Sequence, residues 1–101
     1  MQMLMIISRS SLLDDLLALL ATLGVEASTQ LAEVHGMGED GTALGTFASP
    51  ASNAVILVAL GEKKASKVIA ELEAFRDRFV ARSSSGRLPL RVFVLPCTQA
   101  L

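Results

Sequence analysis

Several things are scarce in this 101-residue chain: charge of either sign in excess, cysteine, histidine, and any apolar run long enough to cross a membrane. Nine Lys and Arg stand against ten Asp and Glu, a formal charge of -1, so no general field draws in nucleic acid or an anionic membrane surface. Nonspecific polyanion binding is disfavoured on that ground, and no nucleic-acid partner is expected. The single cysteine, Cys97, leaves no intrachain disulfide and fits a reducing compartment. Residues 1–7 are apolar but too short, and too poor in leading positive charge, for a signal peptide, and no other run approaches a membrane span. These absences read as a cytoplasmic protein that is not embedded in a membrane. The one histidine, His35, is the only candidate base for Ser8, Ser10 or Ser11, which leaves nucleophilic catalysis without support and argues against an enzyme.

What is present is apolar. Half the residues are hydrophobic and 19% are charged, which places the chain among folded domains rather than disordered ones. Its length gives one domain, residues 1–101, with a core that needs no staples. So apolar a composition in so small a domain points to surface covered by other subunits.

Residues 3–7, MLMII, form a continuous apolar run ending at Ser8, Arg9, Ser10 and Ser11, as a buried strand does at a polar turn. From Ser11 the spacing turns helical. Ser11 with Asp14 forms a capping-box pattern, Leu12, Leu13, Leu16, Leu17, Leu19, Leu20 and Leu23 build a broad apolar face, and Gly24 closes the helix. Val25, Ala27, Thr29 and Leu31 alternate with Glu26, Ser28 and Gln30, predicting a strand with one wet face. The parity slips at residues 32–34, which predicts a bulge.

A glycine-rich stretch follows at 32–52, AEVHGMGEDGTALGTFASPAS, with Gly36, Gly38, Gly41 and Gly45 among polar residues. It shows neither helical nor strand periodicity and reads as a mobile working loop. No helix directly follows these glycines, so they match no Walker or dinucleotide fingerprint. Asn53 then leads into a second apolar strand, VILVAL at 55–60. Gly61 opens a helix with Ala65, Val68, Ile69, Leu72, Phe75 and Phe79 inside and Lys63, Lys64, Lys67, Glu71, Asp77 and Arg78 mostly outside. Residues 83–86, SSSG, end it. The last strand is 90–95, between Pro89 and Pro96.

The order βαββαβ predicts an α+β, ferredoxin-like sandwich: an antiparallel four-stranded sheet with two helices on one face and the first and third strands central. That topology gathers Ser8, Arg9, residues 35–39, Asn53, Arg87 and Arg91 at one rim and sends Cys97 to the opposite end. Arg9, Arg87 and Arg91 there could line a pocket for an anionic metabolite. The plainer alternative is solvated strand-end charges or intersubunit salt bridges. His35, Glu39 and Asp40, with Cys97 of another subunit, are candidate ligands for zinc, copper or nickel, although no strong-ligand spacing supports them and the plainer reading is a lone strand-end His and a Cys acting as a small hydrophobe.

Taken in order, Ile6 and Ile7 shortly before the basic Arg9, LDDL at 13–16, LGV at 23–25, EVHGMG at 33–38 and VFVLP at 92–96 resemble the PII family of trimeric signal-transduction proteins. The resemblance spans most of the chain. It implies a homotrimer with a mobile T-loop at about 39–52, a B-loop at about 83–90, and ligand clefts between subunits at the T-loop base. It implies a small effector, with adenine nucleotide and 2-oxoglutarate the family's usual ones, held here by Arg9, Gly36, Met37, Gly38, Glu39, Arg87 and Arg91. The same likeness makes Asp40, Gly41, Thr42, Leu44 and Phe47 the surface for a partner, a membrane transporter first among them, within nitrogen regulation.

The chain departs from that family where phosphate is held. Glu39 stands where PII proteins have an arginine, and a carboxylate repels phosphate. Leu88, Pro89, Leu90 and Arg91 replace a GDGK run, and no basic pair follows residue 96. Without tyrosine, tyrosyl uridylylation has no acceptor. These departures argue against ATP held in the usual manner and leave the cofactor open. A second expectation is a metal-responsive trimer like the divalent-cation-tolerance proteins, tied to heavy-metal efflux, with His35 as ligand.

Overall fold

A computed structural model describes residues 1–35, 52–82, 88 and 90–101. Strand β1 (Gln2–Arg9) runs through a 3-10 turn (Ser10–Leu12) into helix α1 (Leu13–Thr22); β2 (Thr29–Val34), β3 (Asn53–Leu60), α2 (Glu62–Arg82) and β4 (Arg91–Pro96) follow. The four strands form one antiparallel sheet in the order β2-β3-β1-β4, so the two most apolar strands are central, as predicted. This is the ferredoxin-like α+β architecture.

One face of the sheet carries the core. Leu4 and Ile6 of β1 and Ile56, Val58 and Leu60 of β3 are buried against Leu12, Leu16 and Leu20 from the first helical segment and Ala65, Val68 and Leu72 from α2. Their spacings explain why: two along the strands, and three or four along the helices, place every one of them on a single face. Each fully buried leucine of this set contributes about 1.5–3 kcal/mol relative to exposure.

The other face differs from expectation. The apolar runs of β1 and β3 imply strands buried on both sides, yet Met3, Met5, Ile7, Val55 and Leu57 are only half-buried and Ala59 is exposed. Both helices lie across the opposite side, so no element among the described residues covers this face. Edge strand β4 adds exposed Phe93 and Leu95, and β2 adds Leu31, all three more than 40% exposed.

Local signals were obeyed unevenly. Gly24 takes φ +77° after α1, its N–H reaching the Ala21 carbonyl at 3.1 Å while Val25 N–H reaches Leu20 at 3.0 Å, the paired bonds of a Schellman end. Lys64 Nζ also donates to the Gly24 carbonyl, linking the first turn of α2 to the end of α1. The Ser11–Asp14 capping box does not form. The chain enters α1 through the 3-10 turn, which places Leu12 at the cap position with no side-chain bond. Strand β2 begins at Thr29, not Val25, because the Schellman end uses the Val25 N–H, and five of its six residues are exposed at the sheet edge. The bulge is where the parity slip put it: Leu31 pairs with Val55 and Val34 with Asn53, so β2 has one extra residue, and Glu33 takes φ +61°.

Candidate functional site: the cationic rim of the sheet

Residues that share a rim are fixed by the strand registers. Arg9 ends β1 opposite Asn53, Asn53 starts β3 opposite Val34, and Arg91 starts β4 opposite Ile7. Directly paired residues in an antiparallel ladder point to the same side, with Cβ atoms about 5 Å apart. Arg9, Asn53 and Val34 therefore form the outermost row on the side away from the helices, where, unlike the rows further in, Asn53 is nearly buried. Arg91, Ile7, Val55 and Leu31 form the next row in. His35 follows Val34 at the same end and is exposed.

The rim is held by hydrogen bonds that the strand pairing alone does not supply. Ser8 is buried and its Oγ donates to the Arg9 carbonyl at 3.1 Å. One residue on, Ser10 N–H reaches the Ser52 carbonyl at 3.0 Å and the two hydroxyls lie 2.7 Å apart. Entry to β3 and entry to the first helical turn are thereby pinned together.

Two polar groups stand out for their burial. Asn53 is only 6% exposed. The Nε of Arg9 is buried and has no hydrogen-bond partner among the described residues. A buried charged donor without an acceptor is costly. Sequence reasoning placed Arg9 and Asn53 at this rim but gave no sign of their burial or of the Ser10–Ser52 pair. A polar Asn heading an apolar strand was the one available signal.

Of the expected effector residues, the structure thus places Arg9 and Arg91 on one face in adjacent rows. Gly36, Met37, Gly38, Glu39 and Arg87 lie outside the described residues, as do the expected partner-loop residues Asp40, Gly41, Thr42, Leu44 and Phe47. For metal, no group of three or more His, Cys, Asp or Glu comes together among the described residues. Cys97 is at the far end of the sheet, where its N–H reaches the Met1 carbonyl at 3.4 Å, and so stands away from His35. No helix among the described residues is long and apolar enough to cross a membrane.

A family model for the nitrogen regulatory protein P-II matches residues 1–101. The chain belongs to that family. Solved structures of PII-like proteins share its fold. CPII, a nitrogen regulatory PII-like protein from Thiomonas intermedia K12 solved with ADP, AMP and bicarbonate, superposes with TM-score 0.65 at 26% identity, over 93% of this chain and 82% of CPII. A PII-like signaling protein from Thermus thermophilus gives TM-score 0.58 at 15% identity over the same shares, which speaks for the fold alone. Among curated proteins, none matches. This P-II family chain is thus a PII-like signalling protein, and the cationic rim lies at the end of the sheet where β2 leads into the glycine-rich stretch.

Proposed function

We propose that this P-II family chain is a cytoplasmic regulatory protein, not an enzyme, that assembles as a homotrimer, takes a small anionic effector at the rim between subunits, and signals through residues 39–52 to a partner such as a membrane transporter. The observation that carries this reading is the pairing of an uncovered apolar sheet face with a cationic rim on the same face. Met5, Leu57 and Phe93 form one cross-strand row with Thr29, and Met3, Ala59 and Leu95 the next. A face of that composition is stable in water only when something apolar lies on it.

CPII, solved with ADP, AMP and bicarbonate and also with ADP, AMP and acetate, supports adenine nucleotides and small carboxylates as the effectors to try first. Glu39 and the missing GDGK run favour the less phosphorylated nucleotides over ATP, since fewer phosphate charges then need neutralising. The metal-responsive alternative gains no support from the described residues.

Titration calorimetry of the full chain with ADP, AMP, ATP, 2-oxoglutarate and bicarbonate tests the proposal. Saturable heats are expected for at least one adenine nucleotide or for bicarbonate. Flat isotherms from all five contradict it.

A further inference from the structure

Sulfur is scarce in this chain and unevenly placed. The sequence has four methionines and one cysteine, and three of the methionines, Met1, Met3 and Met5, alternate along the start of β1. Side chains two apart on a strand share a face, and Leu4 and Ile6 of the same strand are buried in the core. Met3 and Met5 therefore lie on the side away from the helices, and the same period carries Met1 there. Cys97 joins them from the end of β4. Gln2 pairs with Pro96 and Met3 with Leu95, and the Cys97 N–H donates to the Met1 carbonyl at 3.4 Å, so the register runs one residue further and sets Cys97 opposite Met1.

Directly opposed residues have Cβ atoms about 5 Å apart and diagonal neighbours about 7–8 Å, a gap that long side chains close. Met1 is thus the direct neighbour of Cys97 and Met3 the diagonal one. Met5 stands four residues, about 14 Å, along β1 from Met1 and is out of reach of Cys97.

We propose that Met1, Met3 and Cys97 form a three-sulfur seat for a soft monovalent metal ion, copper(I), at the end of the sheet opposite the cationic rim. The proposal goes beyond the regulatory reading and does not rest on it. It is also separate from His35 and its acidic neighbours, because thioether ligands are untouched by the lack of a His, Cys, Asp or Glu trio among the described residues. Thiolate and thioether donors select copper(I). Binding sends the Cys97 thiol proton to solvent, so one negative sulfur meets one positive ion and the seat ends neutral. Neutrality matters here: Leu95 and Ala59 share the row of Met3, and a divalent ion would leave a net charge that such apolar surroundings disfavour. Entry is open, since Met1 is 51% exposed while Met3 and Cys97 are half-buried. Apolar filling accounts for Met3 and Met5 equally; only ligation sets Met3 apart from Met5.

The test adds silver(I), a redox-inert stand-in for copper(I), to the full chain carrying 13C-labelled methionine methyl groups, assigned by their loss in Met3→Leu, Met5→Leu and Met37→Leu. One equivalent per chain should move the Met1 and Met3 signals saturably and leave those of Met5 and Met37 in place. Copper(I) affinity is then read by competition with a chromogenic chelator under reducing, oxygen-free conditions. It should weaken by about tenfold or more in Met3→Leu and in Cys97→Ser, each of which removes one of three ligands, and by less than about threefold in Met5→Leu. The leucine variants keep apolar volume, and the methyl shifts in wild type stand whether or not a variant folds. Methyl signals that ignore silver(I), or a Met5→Leu that binds copper(I) as weakly as Met3→Leu, overturn the seat. So does a Cys97→Ser that binds as tightly as wild type. Zinc(II) that moves the same two methyl signals at equal concentration removes the preference for a monovalent ion and overturns it too.

Discussion

Among the described residues two hold left-handed backbone, and they carry opposite consequences. Gly24 adopts φ +77° at no steric cost, and a Cβ built there meets only the flexible end of Lys64 at 3.5 Å. The penalty for Gly24→Ala is therefore conformational and should be about 1–2 kcal/mol, seen as a lower urea midpoint at fixed protein concentration. An unchanged midpoint contradicts the Schellman end. Glu33 holds φ +61° with a side chain attached. Glu33→Gly relieves strain while loosening the unfolded chain, so stability should stay within about 1 kcal/mol, whereas the β-branched Glu33→Val should cost more than that. Equal effects of the two changes would mean that the bulge relaxes. The glycine end was legible because a glycine directly after a leucine-rich helix is the commonest left-handed cap. The Ser11–Asp14 box was a false signal, since a 3-10 turn can deliver the chain to Leu13 without it.

At the level of elements, the pattern was most readable where a helix or strand faces the core. Leu12, Leu16 and Leu20 recur every four residues and all three are buried. Leu16, fully buried between the sheet and its helix, should lose about 2–5 kcal/mol on Leu16→Ala, while half-buried Leu17→Ala should cost clearly less. A reversal of that ranking in denaturant melts would put the wrong face of α1 inward. Strand β2 was harder to read. Its alternation begins at Val25, but four of those residues belong to the connection after α1, and an exposed edge strand gets little from packing to fix its ends. The rim itself was half legible: topology placed Arg9, His35, Asn53 and Arg91 together, whereas burial of Arg9 Nε depends on side-chain positions that no spacing encodes.

For the whole molecule the decisive feature is the side of the sheet that no described element covers. A continuous apolar run in sequence says that both faces of a strand avoid water; it does not say whether the second face meets the same chain or another. Among the described residues both helices are on one side and nothing covers the other, which is why the proposed assembly is the point to test. Phe93 makes this testable without disturbing the core, because it is 49% exposed on edge strand β4 in the single chain. Phe93→Asp should leave the fold intact by circular dichroism yet weaken assembly, giving a smaller species at the same concentration.

The most direct measurement is the mass of the wild-type chain by sedimentation equilibrium across its accessible concentrations, with no ligand added. Association into a species of three times the 10.7 kDa chain mass is predicted. A single monomer of 10.7 kDa at every concentration, folded and with its apolar face in water, would contradict the account.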